Sequence, residues 1–314
     1  MVCVVIPSYE TREQILQVIQ KIGPEVAAIF VVDDACPDQT GAYVEQFCPD
    51  PRVKVIFHEE NTGVGGAFIT GLKVAIARGA EIVVKIDGDG QMDPALIPTL
   101  IRPIIQQKAD YAKGNRFFRL ENLQGMPRSR LLGNAALSFF SKLSSGYWSA
   151  MDPTNGFLAI HAKVARELPW EKISRRYFFE SDLLFRLSTI RAVVTDIPMK
   201  AVYAGEKSNL KIGRALFEFL GLHLTRIFKR IFYLYILRDF NAASLMLLTG
   251  LPLAAFGVCF GLYHWCKGVA TLVFASSGTV MLAAMPVILG GQLLLSALQY
   301  DMNNEPRKPI HPDL

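Results

Sequence analysis

The 314-residue sequence carries little charge, and that charge is unevenly distributed along the chain. Only 19% of its residues are Asp, Glu, Lys or Arg, whereas 51% are hydrophobic. Residues 241–300 contain one full charge, Lys267, and the other 254 residues hold 60 of the 61 charges, about 24%, which is ordinary for a soluble domain. This distribution argues against a wholly soluble protein, a disordered chain and a collagen-like repeat. It predicts a globular part followed by a membrane-embedded tail.

Cysteine is also scarce, and its placement fits neither a disulfide framework nor a zinc site. The cysteines are odd in number, no two have C-x-x-C spacing, and none has a histidine at the spacing of zinc ligands. We therefore expect reduced structural thiols, at Cys3, Cys36 and Cys48 in a cytosolic domain and at Cys259 and Cys266 in the apolar tail. The first six residues are apolar but lack a basic n-region, and Pro7 ends the run at strand length, so no signal peptide is expected.

Common nucleotide-binding patterns are missing or incomplete. No Walker sequence is present, and the glycines of the segment Asn61–Gly66 lack the G-x-G-x-x-G spacing of a dinucleotide site. That segment also follows the third predicted strand rather than the first. We expect a tight turn or a loop beside a nucleotide at this position, and we expect no nucleic-acid partner.

Over the first 120 residues, short runs rich in Val and Ile alternate with segments of helical length. The predicted strands are 2–6, 28–32, 53–57, 81–86 and 110–113. The predicted helices between them are 12–22, 39–47, 65–78 and 94–107, and helices at 131–143 and 178–189 with a strand at 192–197 complete the domain. This alternation predicts a doubly wound α/β sheet, in which ligands bind at the carboxyl ends of the strands.

Polar residues collect at those predicted strand ends, and the segment Asp87-Gly88-Asp89-Gly90-Gln91 is the most informative of them. Two carboxylates one residue apart form a hard-oxygen site that would hold Mg²⁺ or Mn²⁺, with a nucleotide diphosphate completing the metal's ligands. The glycines allow close backbone approach, and Asp33-Asp34 is expected at an adjacent strand end. We therefore favour a metal site over a solvated acidic turn.

A basic segment follows the fifth predicted strand. Its basic residues are Lys113, Arg116, Arg119, Arg128 and Arg130. A guanidinium group suits phosphate oxygens. Arg116 lies at a strand end and Arg130 opens a helix, so these two are the stronger candidates for phosphate contacts, whereas a solvated loop remains an alternative for Arg119 and Arg128.

The apolar tail predicts two membrane spans, 242–263 and 269–298, joined by a link at 264–268 into an antiparallel hairpin. Residues 201–240 hold seven Lys or Arg and three acids, and Arg307 and Lys308 follow the second span. The positive-inside rule therefore places both ends of the hairpin in the cytoplasm. The helical stretch 210–240 mixes aromatic and basic residues, which favours helices lying on anionic lipid over a solvated helix face.

Six ordered sequence blocks identify a family resemblance that spans residues 2–200. They are Pro7-x-Tyr9, Asp33-Asp34-x-x-x-Asp38-x-Thr40, Asn61-x-Gly63-x-Gly65, Asp87-x-Asp89-x-Gln91, Gly114-x-Arg116 with Arg130, and Asp152-x-Thr154-x-Gly156-Phe157. On these residues the chain resembles the inverting family 2 glycosyltransferases of the GT-A fold, and among them the polyprenyl-phosphate glycosyltransferases related to dolichyl-phosphate mannose synthase. The tail is similar to that of membrane-anchored bacterial members.

The resemblance implies a role for each matched residue. Those that would bind the nucleotide sugar are Pro7, Tyr9, Asp34, Asn61, Gly63 and Asp87, and Glu10, next to Tyr9 but outside the matched pattern, is expected with them. Those that would hold Mg²⁺ or Mn²⁺ are Asp87, Asp89 and Gln91, with Asp89, Arg116 and Arg130 as catalytic residues. Arg116 and Arg130, together with Arg128 of the basic segment, are expected at the acceptor phosphate. The sequence departs from the family where Glu10 follows Tyr9 directly, with Thr11 in place of the usual glutamate, and where Cys36 replaces a serine. These differences bear on base and sugar specificity rather than on the reaction class.

Together these observations predict a GT-A catalytic domain (1–205), amphipathic juxtamembrane helices (206–240), two transmembrane helices (241–300) and a cytoplasmic tail (301–314). The expected activity is metal-dependent, inverting transfer of a hexosyl unit from a nucleotide sugar to polyprenyl phosphate, with the catalytic domain on the cytoplasmic side of a bacterial inner membrane. Two alternatives remain: transfer to a saccharide hydroxyl, with Glu180 or Asp182 as base, and a non-catalytic module that binds nucleotide. The spacing Gly257-x-x-x-Gly261 also predicts a homo-oligomer with contacts in the tail.

Overall fold

A seven-stranded sheet forms the centre of the N-terminal part. The computed structural model describes residues 1–118, 128–200 and 212–314, with the backbone alone for 128–132, 134 and 212–217. The strands are β1 (Val2–Ser8), β2 (Val26–Asp33), β3 (Val53–Phe57), β4 (Ile82–Lys85), β5 (Tyr111–Asn115), β6 (Leu158–His161) and β7 (Val194–Pro198). Their order is β3-β2-β1-β4-β6-β5-β7. β6 runs antiparallel to β4 and β5, and the other paired neighbours are parallel. The predicted α/β sheet is confirmed.

Helices connect the strands and cover both faces of the sheet. They are α1 (Ile15–Gln20), α2 (Thr40–Phe47), α3 (Val64–Ala77), α4 (Ile97–Ile105), α5 (Arg128–Ser145), α6 (Ala162–Arg166) and α7 (Phe179–Thr189). Alternate residues of β1 point to opposite faces, so Val5 packs in one hydrophobic cluster and Val4 and Ile6 pack in the other. Burial on both faces explains why the strands read as continuous apolar runs.

The C-terminal part is helical. It comprises α8 (Ile212–Ile231), a π-helical segment (Phe232–Arg238), α9 (Ala242–Thr271) and α10 (Ser277–Asn303). Both α9 and α10 are long and apolar enough to cross a membrane, with mean hydropathies of 2.1 and 1.9 over their most apolar stretches. The predicted link at 264–268 is wrong, because α9 continues through it to Thr271. Lys267 lies near the end of a 30-residue helix, where a long charged side chain can reach the membrane surface. The chain turns instead at Leu272, and the Ser276 side chain caps α10.

Glycines allow α9 and α10 to pack closely. A Cβ atom on Gly257 would lie 2.7 Å from the Ala283 carbonyl oxygen, and one on Gly290 would lie 2.6 Å from the Ala254 nitrogen. The Gly257-x-x-x-Gly261 pattern therefore serves contacts within one chain. The homo-oligomer stays a prediction, but this motif no longer supports it.

The chain divides into two compact units. One unit comprises Met1–Ile227 with Pro306–Leu314, and the other comprises Phe228–Glu305. The last residues thus belong with the N-terminal unit. Asp110, fully buried just before β5, accepts hydrogen bonds from the backbone nitrogens of Ile310 and His311 and pairs with His311 Nδ1 at 2.8 Å. The His311 ring stacks on His161 with 4.3 Å between centroids. The residues predicted as a separate tail are therefore partly built into the sheet domain.

Candidate active site

Asp34 organises the loop after β3. Its Oδ1 accepts hydrogen bonds from the Thr62 nitrogen and hydroxyl, both at 2.9 Å, and pairs with His58 Nδ1 at 2.7 Å. Its Oδ2 accepts from the Gly63 nitrogen at 2.7 Å. Burial alone would raise the pKa of Asp34, but the hydrogen bonds from Thr62, His58 and Gly63 outweigh burial and hold its pKa below the usual value. The buried Asp34 carboxylate thus joins the end of β2 to the segment Asn61–Gly66, and both are predicted to lie at the nucleotide.

The residues that depart from the family pattern, Glu10 with Thr11 and Cys36, lie together in the structure. The Glu10 nitrogen donates to Cys36 Sγ at 3.1 Å, and Glu10 has a φ of 55°, a left-handed value that is uncommon outside glycine. The Thr11 hydroxyl bonds to Ser8 at 2.9 Å. Cys36 is held in turn by Asp33, whose Oδ1 accepts from the Cys36 nitrogen at 2.7 Å. The unusual residues therefore form one altered turn beside Tyr9, whose side chain is exposed.

Asp87, Asp89 and Gln91 lie on the turn after β4, and each is half-buried. Asp89 Oδ1 accepts a hydrogen bond from the Gln91 nitrogen at 3.0 Å, which closes the turn. Gly90 has a φ of 76°, a conformation that favours glycine. The predicted hard-oxygen residues are therefore gathered on one tight turn at the carboxyl end of β4.

A buried lysine fixes Asp87. Lys85 has no exposed surface, and its Nζ lies 2.6 Å from Asp87 Oδ1, 3.3 Å from the Gly156 carbonyl oxygen and 3.4 Å from Glu180 Oε1. Burial opposes the charge on Lys85, but Asp87 and Glu180 outweigh it and raise the pKa of Lys85. A Cβ atom on Gly156 would lie 2.5 Å from both Asp87 Oδ2 and Lys85 Nζ, so a larger residue here would have to displace this ion pair.

Arg116 forms a two-pronged ion pair with Asp152. Arg116 Nε and Nη2 each lie 2.7 Å from an Asp152 carboxylate oxygen, and the Arg116 nitrogen also donates to Asp152. Burial would raise the pKa of Asp152, but Arg116 holds it below its usual value. This pair joins two of the motifs seen in the sequence. It also means that the guanidinium predicted to bind phosphate is engaged with a carboxylate in this structure.

Arg128 and Arg130 begin α5, but their side chains, like all of Arg119, lie outside the described residues. Their predicted contacts with the acceptor phosphate stay predictions. Lys113, the first residue of the basic segment, is fully buried in β5 and pairs with Asp196 Oδ1 at 3.1 Å. Its role is thus to hold the sheet edge and the turn at Asp152, whose carbonyl oxygen it contacts at 3.0 Å.

The first turn of α7 carries two carboxylates with different partners. Glu180 faces Lys85, and Asp182 forms a two-pronged pair with Arg226 of α8 at 2.7 and 3.0 Å. The Ser174 nitrogen also donates to Asp182 at 2.9 Å. Burial raises the pKa of Glu180, although Lys85 opposes this effect. Of the two bases considered for a hydroxyl acceptor, Asp182 is engaged in holding a helix.

Comparison with known proteins decides the family. The family model described as glycosyl transferase family 2 matches residues 3–169, which is more than half of the chain. The chain belongs to glycosyl transferase family 2. It is therefore a glycosyltransferase.

Named relatives of this family match most of the chain. A UDP-N-acetylglucosamine–dolichyl-phosphate N-acetylglucosaminyltransferase of Methanococcus voltae is 29% identical over 235 residues, covering 69% of this chain and 93% of the relative. An undecaprenyl-phosphate mannosyltransferase of Micrococcus luteus is 29% identical over 205 residues, covering 64% and 83%. The identity is low, so what these relatives act on is not thereby transferred to this chain.

Solved structures establish the GT-A fold. Glucosyl-3-phosphoglycerate synthase from Mycobacterium tuberculosis, crystallised with Mn²⁺, UDP-glucose and phosphoglyceric acid, has a TM-score of 0.56 and 20% identity. The match covers 72% of this chain and 79% of that one. The same enzyme with phosphoglyceric acid alone also gives 0.56, with coverage of 72% and 80%. At this identity the likeness shows the fold alone.

The residues present fit a divalent metal that takes some of its ligands from the protein and others from a substrate. Asp87, Asp89 and Gln91 offer two carboxylates and an amide oxygen, the ligand chemistry of Mg²⁺ and Mn²⁺. Across residues 1–118, 128–200 and 212–314, no group of three His, Cys, Asp or Glu side chains is arranged to hold a metal alone. Water and the phosphate oxygens of a bound substrate would complete the ligands of such a metal.

Sequence reasoning missed the role of Lys85, although a signal for it was present. Lys85 is a lysine in the otherwise apolar run of β4, two residues before Asp87, and a buried lysine so close to a carboxylate indicates an ion pair. It also missed His58, which supports Asp34, and the Asp182–Arg226 pair. The latter joins residues 44 positions apart and carries no local pattern.

Proposed function

We propose that the chain transfers a hexosyl unit from a nucleotide-diphosphate sugar to polyprenyl phosphate at the cytoplasmic face of a membrane. The reaction is metal-dependent and inverts the anomeric carbon. The acceptor's phosphate oxygen attacks that carbon from the side opposite the leaving diphosphate, so one bond forms as the other breaks. The two named relatives, a dolichyl-phosphate and an undecaprenyl-phosphate transferase, support this acceptor class.

The donor is assigned to the turns at Asp34 and Asp87. The Asn61–Gly63 loop, tied to Asp34, would receive the nucleoside together with Pro7, Tyr9 and Glu10. Asp87, Asp89 and Gln91 would hold Mg²⁺ or Mn²⁺, which when bound neutralises charge on the leaving diphosphate. The buried hydrogen bonds of Asp34 fix this loop before the donor arrives, which reduces the ordering cost of binding.

The observation that carries the choice of acceptor is the state of the two carboxylates on α7. A hydroxyl acceptor needs a base within hydrogen-bond reach. Glu180 faces Lys85 at 3.4 Å and Asp182 is paired with Arg226. A phosphate monoester carries its own negative charge near pH 7 and needs no base, only cations to attract it. Arg128 and Arg130 at the start of α5 would supply those cations.

The membrane location rests on α9 and α10, which expose large apolar side chains along most of their length. The preceding helical segments expose Phe228, Phe232 and Leu237, as expected for a helix at a lipid surface. The basic residues on both flanks of the hairpin favour the cytoplasmic side for the catalytic unit.

The alternative, transfer to a saccharide hydroxyl, is favoured by one observation: burial raises the pKa of Glu180, and a more basic carboxylate is a better general base. The test compares purified full-length protein supplied with undecaprenyl phosphate, undecaprenol or a saccharide, each with the same donor panel. The proposal expects transfer to undecaprenyl phosphate alone. Transfer to undecaprenol or to the saccharide at a comparable rate contradicts it.

A second experiment tests the acceptor-phosphate residues. Arg130→Ala is expected to lower transfer to undecaprenyl phosphate at least a hundredfold, since a charge-assisted contact to phosphate is lost, while Mn²⁺-dependent UDP binding persists. Arg102→Ala, the same change at an exposed position on α4, is the control and should leave transfer unchanged. Normal transfer by Arg130→Ala contradicts the assignment.

A further inference from the structure

Three oxygens surround the ammonium group of Lys85. They are Asp87 Oδ1 at 2.6 Å, the Gly156 carbonyl oxygen at 3.3 Å and Glu180 Oε1 at 3.4 Å. Two carboxylates and one carbonyl are the oxygen types that bind divalent cations in proteins. The side chain of Lys85 therefore occupies a cation position that the fold has built, immediately beside the turn that carries Asp89.

Three separate segments fix this cation position. The end of β4 and the turn after it supply Lys85 and Asp87, the turn before β6 supplies Gly156, and the first turn of α7 supplies Glu180. Gly156 approaches so closely that a Cβ atom there would lie 2.5 Å from Lys85 Nζ. The Glu180 side chain is 9% exposed and that of Lys85 is fully buried. A solvated, accidental ion pair does not have these features.

Lys85 changes how many oxygens the protein can offer a metal. Its ammonium group engages one oxygen of Asp87 and neutralises Glu180, so neither of these two carboxylates offers its full charge to a metal. Without Lys85, the carboxylates of Asp87 and Glu180 would both face one empty position. Buried carboxylates without a counter-charge bind cations strongly, because the cation removes a large desolvation penalty.

We propose that Lys85 is a positioning residue that makes metal binding depend on the nucleotide. This inference rests on the proposed assignment of Asp87 and Asp89 as metal ligands. With Lys85 in place, the protein binds Mg²⁺ or Mn²⁺ weakly until the donor diphosphate supplies further oxygens. Lys85 would thereby limit tight metal binding to the state in which a nucleotide diphosphate is bound.

The test measures Mn²⁺ binding by electron paramagnetic resonance on full-length protein in detergent, with and without UDP. Wild type should bind Mn²⁺ at least tenfold more tightly with UDP. Lys85→Met should bind Mn²⁺ without UDP at least tenfold more tightly than wild type does. Lys85→Met/Glu180→Gln should lose that gain. Lys113→Met, the same change at the other fully buried lysine, which pairs with Asp196, should match wild type.

A second variant guards against poor folding of Lys85→Met. Glu180→Gln keeps the lysine but removes one counter-charge, so Mn²⁺ binding in the presence of UDP should weaken at least threefold. A purely structural role would weaken Mn²⁺ binding in both single variants, whereas this proposal requires opposite signs. Unchanged or weaker UDP-free binding by folded Lys85→Met, or unchanged binding by Glu180→Gln, overturns the proposal. If wild type itself gains no Mn²⁺ affinity from UDP, the proposed metal-dependent function fails instead.

Discussion

The two compact units of the chain use charge in opposite ways. The catalytic unit, Met1–Ile227 with Pro306–Leu314, holds charged side chains in one group of three and three ion pairs, each with at least one buried member. They are Lys85 with Asp87 and Glu180, Lys113 with Asp196, Arg116 with Asp152, and Asp182 with Arg226. The hairpin unit, Phe228–Glu305, instead leaves large apolar side chains exposed, such as Leu251 at 61% and Leu295 at 64%. Its buried ion pair, Arg230 with Asp301, lies at the end of the apolar helices.

The difference shows what holds each unit together. In the catalytic unit, the strands bury apolar side chains on both faces, and the ion pairs fix particular turns within that core. In the hairpin, apolar surface gains nothing from leaving a lipid environment, so close packing of backbones at Gly250, Gly257 and Gly290 must supply the helix contact. Ion pairs therefore fix the positions of turns in the catalytic unit, whereas glycines set the packing of α9 and α10 in the hairpin unit.

The largest expected effect comes from a charge at the catalytic turn. Asp89→Asn should lower turnover by roughly three orders of magnitude, or about 4 kcal/mol of transition-state stabilisation, because an amide is a weaker Mg²⁺ ligand than a carboxylate. The fold should persist, as judged by circular dichroism. Asp93→Asn, four residues further along the chain and still able to cap the helix start at Ala95, is the control. Full turnover by Asp89→Asn would contradict the proposal that the turn at Asp87–Gln91 binds the metal.

The next effect is on stability rather than chemistry. Arg226→Met removes the partner of the fully buried Asp182 and should cost roughly 3 kcal/mol of unfolding free energy, since a buried charge is left uncompensated. Thermal unfolding in detergent measures it. The double variant Asp182→Leu/Arg226→Met should recover much of the loss. If the single and double variants are equally unstable, the ion pair is not what joins α8 to α7.

Histidine burial predicts a loss of stability in acid. The pKa of His223, buried between Phe178 and Ser144, is lowered by burial from 6.5 to about 4. Between those values the unfolded chain binds a proton that the folded chain does not, so stability falls as pH drops from 6.5 towards 4, by up to about 3 kcal/mol. His223→Phe should flatten part of this dependence, and His161, whose pKa is also lowered to about 4, should contribute a further part. An unchanged pH slope in His223→Phe contradicts this.

The smallest expected effect tests the hairpin. Gly257→Leu should cost roughly 1–3 kcal/mol, because its Cβ would lie 2.7 Å from the Ala283 carbonyl oxygen and force α9 and α10 apart. Gly291→Leu, where a Cβ meets no atom within 4 Å, should be neutral. Resistance to thermolysin in detergent compares the two. Equal stability would show that glycine packing does not hold the helices together.

The sequence predicted those features that local spacing encodes. Alternating apolar runs indicated the sheet, and Asp87-x-Asp89-x-Gln91 indicated the turn that now carries the proposed metal site. The pairing of Asp110 with His311 could not be predicted, because 201 residues separate them and neither belongs to a local pattern. The end of α9 was misplaced for a different reason. His264 and Lys267 resemble a polar turn, yet a long helix keeps its backbone bonds and carries such side chains on its surface.

The central claim is that the sugar is transferred to a lipid phosphate. The most direct measurement incubates purified protein with radiolabelled nucleotide sugar, undecaprenyl phosphate and Mn²⁺, and follows the label through organic extraction. A glycosyl phosphate on a prenyl chain should enter the organic phase, be released by mild acid, and fail to form in chelator. A labelled product that stays in water, or an extractable product that survives mild acid, would contradict the account.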